Sequence, residues 1–178
     1  MTMPSPMKGV DMKKAQLTSR NQTHFGIAVI LMIVSIASSV QAQEKHPFEG
    51  IWNANLSKSQ RHENHQFKSA TMKFEISDEL VLLTFTGVNM AGKEESGTTR
   101  IQPDGKEHPV TEAPGVVTIS KWTTSRILET VARKDGSVVG ESKYEVSEDG
   151  KTLTATVKGF DAKGRSFEQI IVFDRETK

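Results

Sequence analysis

His46, His62, Glu63 and His65 are the residues whose types first suggest chemistry, because imidazoles and a carboxylate close together in sequence are a donor set for a divalent metal. The run Arg61-His62-Glu63-Asn64-His65 has the residue types of a zinc-protease helix. That motif needs its two histidines four apart on one helical face, with the glutamate between them as general base. Here they are three apart, within a polar stretch (57–68, SKSQRHENHQFK) that has no helical apolar stripe. The stretch reads as a long solvated loop after a first strand, and no metal site is assigned to it. Serine and threonine are abundant, yet no G-x-S-x-G elbow is present to activate one of them. Glu94-Glu95 and Asp78-Glu79 fall at expected turns, where hydration accounts for paired acids. No glycine-rich phosphate loop is present. With no catalytic constellation the chain is read as a non-enzyme, without a cofactor.

The N-terminus carries a different message. Lys8, Lys13, Lys14 and Arg20 precede an uncharged run from Phe25 to Val40, which ends in Val40-Gln41-Ala42. A basic region, an apolar region and a small-residue site in that order predict a signal peptide over residues 1–42, cleaved after Ala42. The 16-residue run is shorter than the ~20 residues of a comfortable membrane span, and Ser35, Ser38, Ser39 and Gln41 dilute its end. The mature chain, 43–178, is therefore expected to be periplasmic or secreted, with no stable membrane span. Met12 opens a more compact leader, so translation starts at Met1 or at Met12.

Residues 1–42 hold four of the 23 basic and one of the 22 acidic residues, which leaves 19 and 21 and a net charge of −2 on the mature chain. Interspersed charges so near balance give no electrostatic footprint for nucleic acid. The remaining 136 residues are the size of one domain, and such a chain buries about two-thirds of its unfolded surface unaided. There is no cysteine, so the core closes by packing alone.

From Phe48 onward the chain reads as short β runs separated by Gly, Asp and Asn, at roughly 50–56, 69–77, 80–88, 94–101, 115–122, 125–134, 137–147, 152–160 and 166–174. Alternation is clearest in Ala70, Met72, Phe74 and Ile76 against Thr71, Lys73 and Glu75, and in Leu153, Ala155 and Val157 against Thr152, Thr154 and Thr156. Asp-Gly pairs at 104–105, 135–136 and 149–150 suit the left-handed positions of tight hairpins. Short connections make consecutive strands neighbours. The expected fold is all-β: an antiparallel up-and-down meander of about nine strands closing into a barrel, which removes the sheet edges.

Gly50-Ile51-Trp52 carries the G-x-W that marks the first strand of lipocalins and their calycin relatives. Together with GIWNANLSKS (50–59), DGKEHPV (104–110) and the stretch 133–176, it resembles a group of exported bacterial lipocalin-like proteins of unestablished function. The resemblance implies a barrel with Trp52 at its closed end and a basic residue of the last strand lying across the indole. Arg175 is the candidate, which makes Gly50, Trp52 and Arg175 structural. The chain departs from the group in having Ile51 before the tryptophan and His108 where a tyrosine is expected.

A small barrel either fills its interior or leaves room for one ligand. Alternation points Phe74, Ile76, Leu82, Trp122, Leu128, Tyr144, Val146, Leu153 and Ile171 inward. Ala132, Gly140 and Ala155 leave volume, while Thr84, Ser142 and Gln169 are placed to orient a ligand. The expected function is binding of a small, mainly apolar molecule against Phe74, Leu82, Trp122, Leu128 and Tyr144, with the 57–68 loop controlling entry. The alternative is a filled-core structural or interaction module of the cell envelope, and oligomeric state is left open.

Overall fold

The computed structural model describes residues 45–63, 65–161 and 163–177. The expected signal peptide lies outside the described residues. Ten strands follow one another: β1 Gly50–Gln60, β2 Phe67–Ile76, β3 Val81–Asn89, β4 Glu94–Ile101, β5 Asp104–Pro109, β6 Val116–Thr124, β7 Ile127–Lys134, β8 Ser137–Val146, β9 Thr152–Phe160 and β10 Ser166–Arg175. They form one antiparallel sheet in the order β4-β3-β2-β1-β10-β9-β8-β7-β6-β5. Every hairpin pairs with its neighbour, and the pairing of β1 with β10 joins the two ends of the chain. This is the expected up-and-down, lipocalin-like meander. The ladder is not closed, however: β4 and β5 are the two edges, and a seam runs between them.

The tenth strand is β5, which sequence patterning reads as a turn. Its Asp104-Gly105 pair does adopt turn geometry, with Gly105 at φ 75°, but as a bulge that shifts the register against β6 between Asp104 and Glu107. Strand pairing then resumes through His108 and Pro109. The first strand is also longer than expected. β1 runs on to Gln60 through a register shift after Asn55, where the Ser59 hydroxyl donates to the Asn55 carbonyl and accepts from the Val172 amide. A side chain thus replaces ladder partners that a polar sequence could not advertise, and only 61–66 remain as loop. The Asp135-Gly136 hairpin behaves as its composition dictates, with φ of 50° and 78° at its two residues.

Large side chains concentrate at one end of the barrel. Phe48, Trp52, Phe74, Leu128, Leu153, Val81 and Phe173 are fully buried there. Arg175 closes that end. Its guanidinium carbon lies 4.0 Å from the centre of the Trp52 ring, directly across the ladder from it. The same group donates to the carbonyls of Gly150 (2.6 Å), Glu49 (2.8 Å) and Pro47. Partial burial pushes its pKa down from the ordinary arginine value, though the group remains a cation. Trp52 in turn donates its Nε1 proton to the Phe48 carbonyl at 2.8 Å. Gly50 is required by this closure, since its φ is 129° and a Cβ there would meet Arg175 Nη1 at 3.2 Å.

Replacing Arg175 with Leu removes the cation–π contact and leaves three carbonyls without their donor. A loss of about 2–4 kcal/mol in unfolding free energy is expected, with a collapsed near-ultraviolet tryptophan signal, both read by urea denaturation.

Candidate functional site

Antiparallel register brings the inward side chains of β6 to β10 into rows. One row holds Trp122, Leu128, Tyr144, Ala155 and Ile171. The row above it, further from Trp52, holds Ser120, Thr130, Ser142, Val157 and Gln169. The next holds Thr118, Ala132, Gly140, Gly159 and Phe167. The interior therefore grades from a large apolar floor, through a belt of small and polar side chains, to a rim of small residues.

A chamber of about 290 Å³ occupies the space this gradient leaves, close to the ~300 Å³ at which small-molecule sites begin. Tyr144, Ser120, Thr130, Ser142, Val157, Thr118, Ala132 and Gly140 line it on one side, and Leu83, Thr99 and Ile101 on the other. Its wall thus includes strands from both sides of the open seam. The polar groups of the belt mostly satisfy one another. Ser120 and Thr130 share a hydrogen bond of 2.8 Å. Burial pushes the Tyr144 phenol above its ordinary pKa, opposed by a hydrogen bond with Ser142, so it stays protonated. Gln169 differs: it is 8% exposed, and its Oε1 is buried without a hydrogen-bond partner. Such an acceptor typically costs about 1–3 kcal/mol. Among the described residues, no Lys, Arg, Asp or Glu side chain belongs to a buried residue.

Of the residues expected to contact a ligand, Tyr144 lines the chamber. Phe74 and Leu128 are fully buried in the floor, with Trp122 packed against the same cluster. Trp122 is not a chamber wall: its ring meets His46 at 4.7 Å and Phe48 at 5.1 Å, and it borders a cleft outside the closed end. Leu82 is corrected outright. It pairs with Glu75 and Arg100 on the outer face, while Leu83 faces Phe74 and Thr99 inside. Thr84 is outward too, bonded to Thr98 at 3.0 Å. In a run such as Val81-Leu82-Leu83 both parities are apolar, so alternation alone cannot choose the face. Patterning missed Thr99, Thr118, Ser120 and Thr130 altogether. Their signal is positional: each lies two residues from a buried or half-buried apolar side chain on the same face of its strand.

The histidine-rich loop does structural work at the far end. His62 and His65 rest on the Phe167 ring at 5.0 and 4.9 Å, and Glu63 pairs with Arg165 at 3.3 Å. Among the described residues, no three His, Asp or Glu side chains converge into a metal site. The loop is thus pinned to the start of β10.

The largest hollow, about 940 Å³, is the cleft outside the closed end. Lys45, Glu49, Asp78 and Arg126 make its lining mixed in charge, and the 45–49 segment separates it from the core. His46 is the informative residue there. Burial lowers its pKa below the ordinary histidine value against the opposing pull of Glu49, and its Nδ1 accepts from the Phe48 amide at 3.4 Å, which needs a neutral ring.

No family model matches the chain, and no curated protein matches it in sequence. Among solved structures it is similar to two asparagine-substituted mutants of the fluorescent protein UnaG. One gives a TM-score of 0.51 at 14% identity, covering 74% of this chain and 98% of that one. The other gives 0.50 at 14%, covering 74% and 97%. A zebrafish ileal bile acid-binding protein complexed with cholic acid is similar at 11% identity and a TM-score of 0.45, covering 73% and 99%. At these identities the likeness is one of fold, and the fold is a calycin-type barrel.

The His46 geometry predicts an acid-sensitive closure. A histidine whose folded pKa lies below its unfolded value of ~6.5 binds more protons when unfolded, so its contribution is complete above that value and is lost as pH falls through the folded pKa. Melting temperature is expected to drop between pH 7.5 and 5.0, and His46→Phe to reduce that drop, in thermal melts of the two proteins at both pH values.

Proposed function

We propose that this is an exported, non-catalytic barrel that holds one small molecule between the apolar floor and the polar belt. The chamber carries the reading, because an interior meant only to be solid has no reason to place Ser120, Thr130, Ser142 and Gln169 in one row above a well-packed floor. The ligand is a neutral, compact molecule. Its apolar part rests on Tyr144 and Leu83. Entry runs by way of the seam between β4 and β5, since the loop at the far end is held by Arg165 and Phe167. Export is supported by the basic, apolar and small-residue succession in residues 1–42.

The test is native mass spectrometry of residues 43–178 purified from the natural host, before and after organic extraction. A stoichiometric, extractable adduct is expected. Ala132→Leu, which projects three carbons more into the chamber wall, is expected to lose the adduct while keeping its circular dichroism spectrum, with stability changed by no more than about 1–3 kcal/mol. A chain that never carries an adduct, and whose tryptophan fluorescence ignores apolar probes, would return the protein to the filled-core interaction class.

A further inference from the structure

The belt has one loose end, and it specifies the ligand's chemistry. Ser120 and Thr130 are mutually bonded, and the Tyr144 hydroxyl is engaged with Ser142. Gln169 shares their row on the inner face, beside Val157, which lines the chamber. It is more than nine-tenths buried, and its Oε1 alone among the buried side-chain polar atoms of the described residues lacks a partner. A buried acceptor without a donor is rare in a folded protein and points to a group not yet in place. A carbonyl oxygen accepts and cannot donate, so the missing group must carry N–H or O–H. A full positive charge is disfavoured as well, because no carboxylate is buried nearby to compensate it.

We infer that Gln169 is the specificity-determining residue of the chamber, and that its Oε1 accepts a hydrogen bond from a neutral hydroxyl or amine N–H carried on an apolar ring or skeleton. This rests on the chamber being a binding site. The floor then supplies affinity for the skeleton, and Gln169 discriminates between molecules that differ only in that donor. A site built to pair with a donor rejects the isostere lacking it more strongly than an apolar pocket rejects a missing methylene, because rejection leaves the protein's own polar group unpaired.

The experiment compares 2-naphthol with 2-methylnaphthalene, which have nearly the same shape and differ in one hydroxyl. Both are titrated by fluorescence into residues 43–178, first with the native side chain and then with Gln169→Met and Gln169→Leu. The native protein is expected to prefer 2-naphthol by about tenfold or more. In both variants the preference falls to near unity, chiefly through weaker naphthol binding. The ligand-free variants melt no lower than the native protein, since an unpaired acceptor has been removed. Equal affinities in the native protein, or a preference that survives both substitutions, would overturn the assignment of Gln169 while leaving the chamber a binding site. Failure of either probe to bind the native protein at millimolar concentration would overturn the binding reading and this inference with it. Measurement on the native protein alone decides the donor preference, even where a substituted chain fails to fold.

Discussion

Everything in this barrel is organised by one cation held over one aromatic ring. Arg175 covers Trp52 at 4.0 Å and donates to three backbone carbonyls that belong to separate parts of the chain: Pro47 and Glu49 from the entering segment, and Gly150 from the turn between β8 and β9. These carbonyls have no ladder to join, and a barrel end leaves many such groups. A planar guanidinium with five donors suits the task, because it stacks on the indole and still directs N–H groups outward from its edge. A lysine could supply a charge there but not this fork. The closure also fixes the chain termini of the sheet, since Trp52 and Arg175 are partners in the β1–β10 ladder.

A sealed end allows a dry floor, and the floor is what makes a chamber possible above it. Phe48 enters as a plug, with its ring edge-on to Phe74 at 5.3 Å and to Trp122 at 5.1 Å. Tyr144 stands over this cluster with its ring edge-on to Phe74 at 5.8 Å, so its phenol marks the boundary between apolar floor and polar belt. Aromatic rings in these geometries are rigid as well as apolar. The belt can then carry an energetic cost, including an unpaired amide oxygen, because the layer beneath it does not rely on the belt for packing.

How much of this the sequence reveals depends on the range of the interaction concerned. Hairpins are local, and Asp135-Gly136 forms the turn its composition demands. Strand type is local too, and alternating runs such as Ala70 to Ile76 were legible. Side-chain facing is less so, because Val81-Leu82-Leu83 offers no contrast between parities and Leu82 turned out to face Glu75 and Arg100. β5 was hidden because a bulge at Gly105 uses the residues of a hairpin turn. Trp52 and Arg175 are far apart in sequence, and only the likeness to a known group joined them. The row of Ser120, Thr130, Ser142, Val157 and Gln169 was the least legible feature of all. Each member is ordinary within its own strand, and the pattern exists only once five registers are fixed.

That row is also the strongest reason to regard the interior as purposeful rather than merely loose. A poorly packed core scatters its small residues, whereas here they occupy corresponding positions on successive strands. Filling the space would have been simple: leucine or phenylalanine at Ser142 or Ala132 meets no constraint from a positive φ, and the adjoining floor shows that this chain places large side chains readily. The charges are sorted just as consistently. Lys121 with Glu129, Lys143 with Glu145 and Lys158 with Glu168 lie on the outer face of the same strands. A neutral, hydrogen-bonding interior above an apolar base admits a molecule that is partly greasy and partly a donor, and is hostile to an ion. Affinity and selectivity are therefore carried by different rows of one sheet, and each can be altered without dismantling the other.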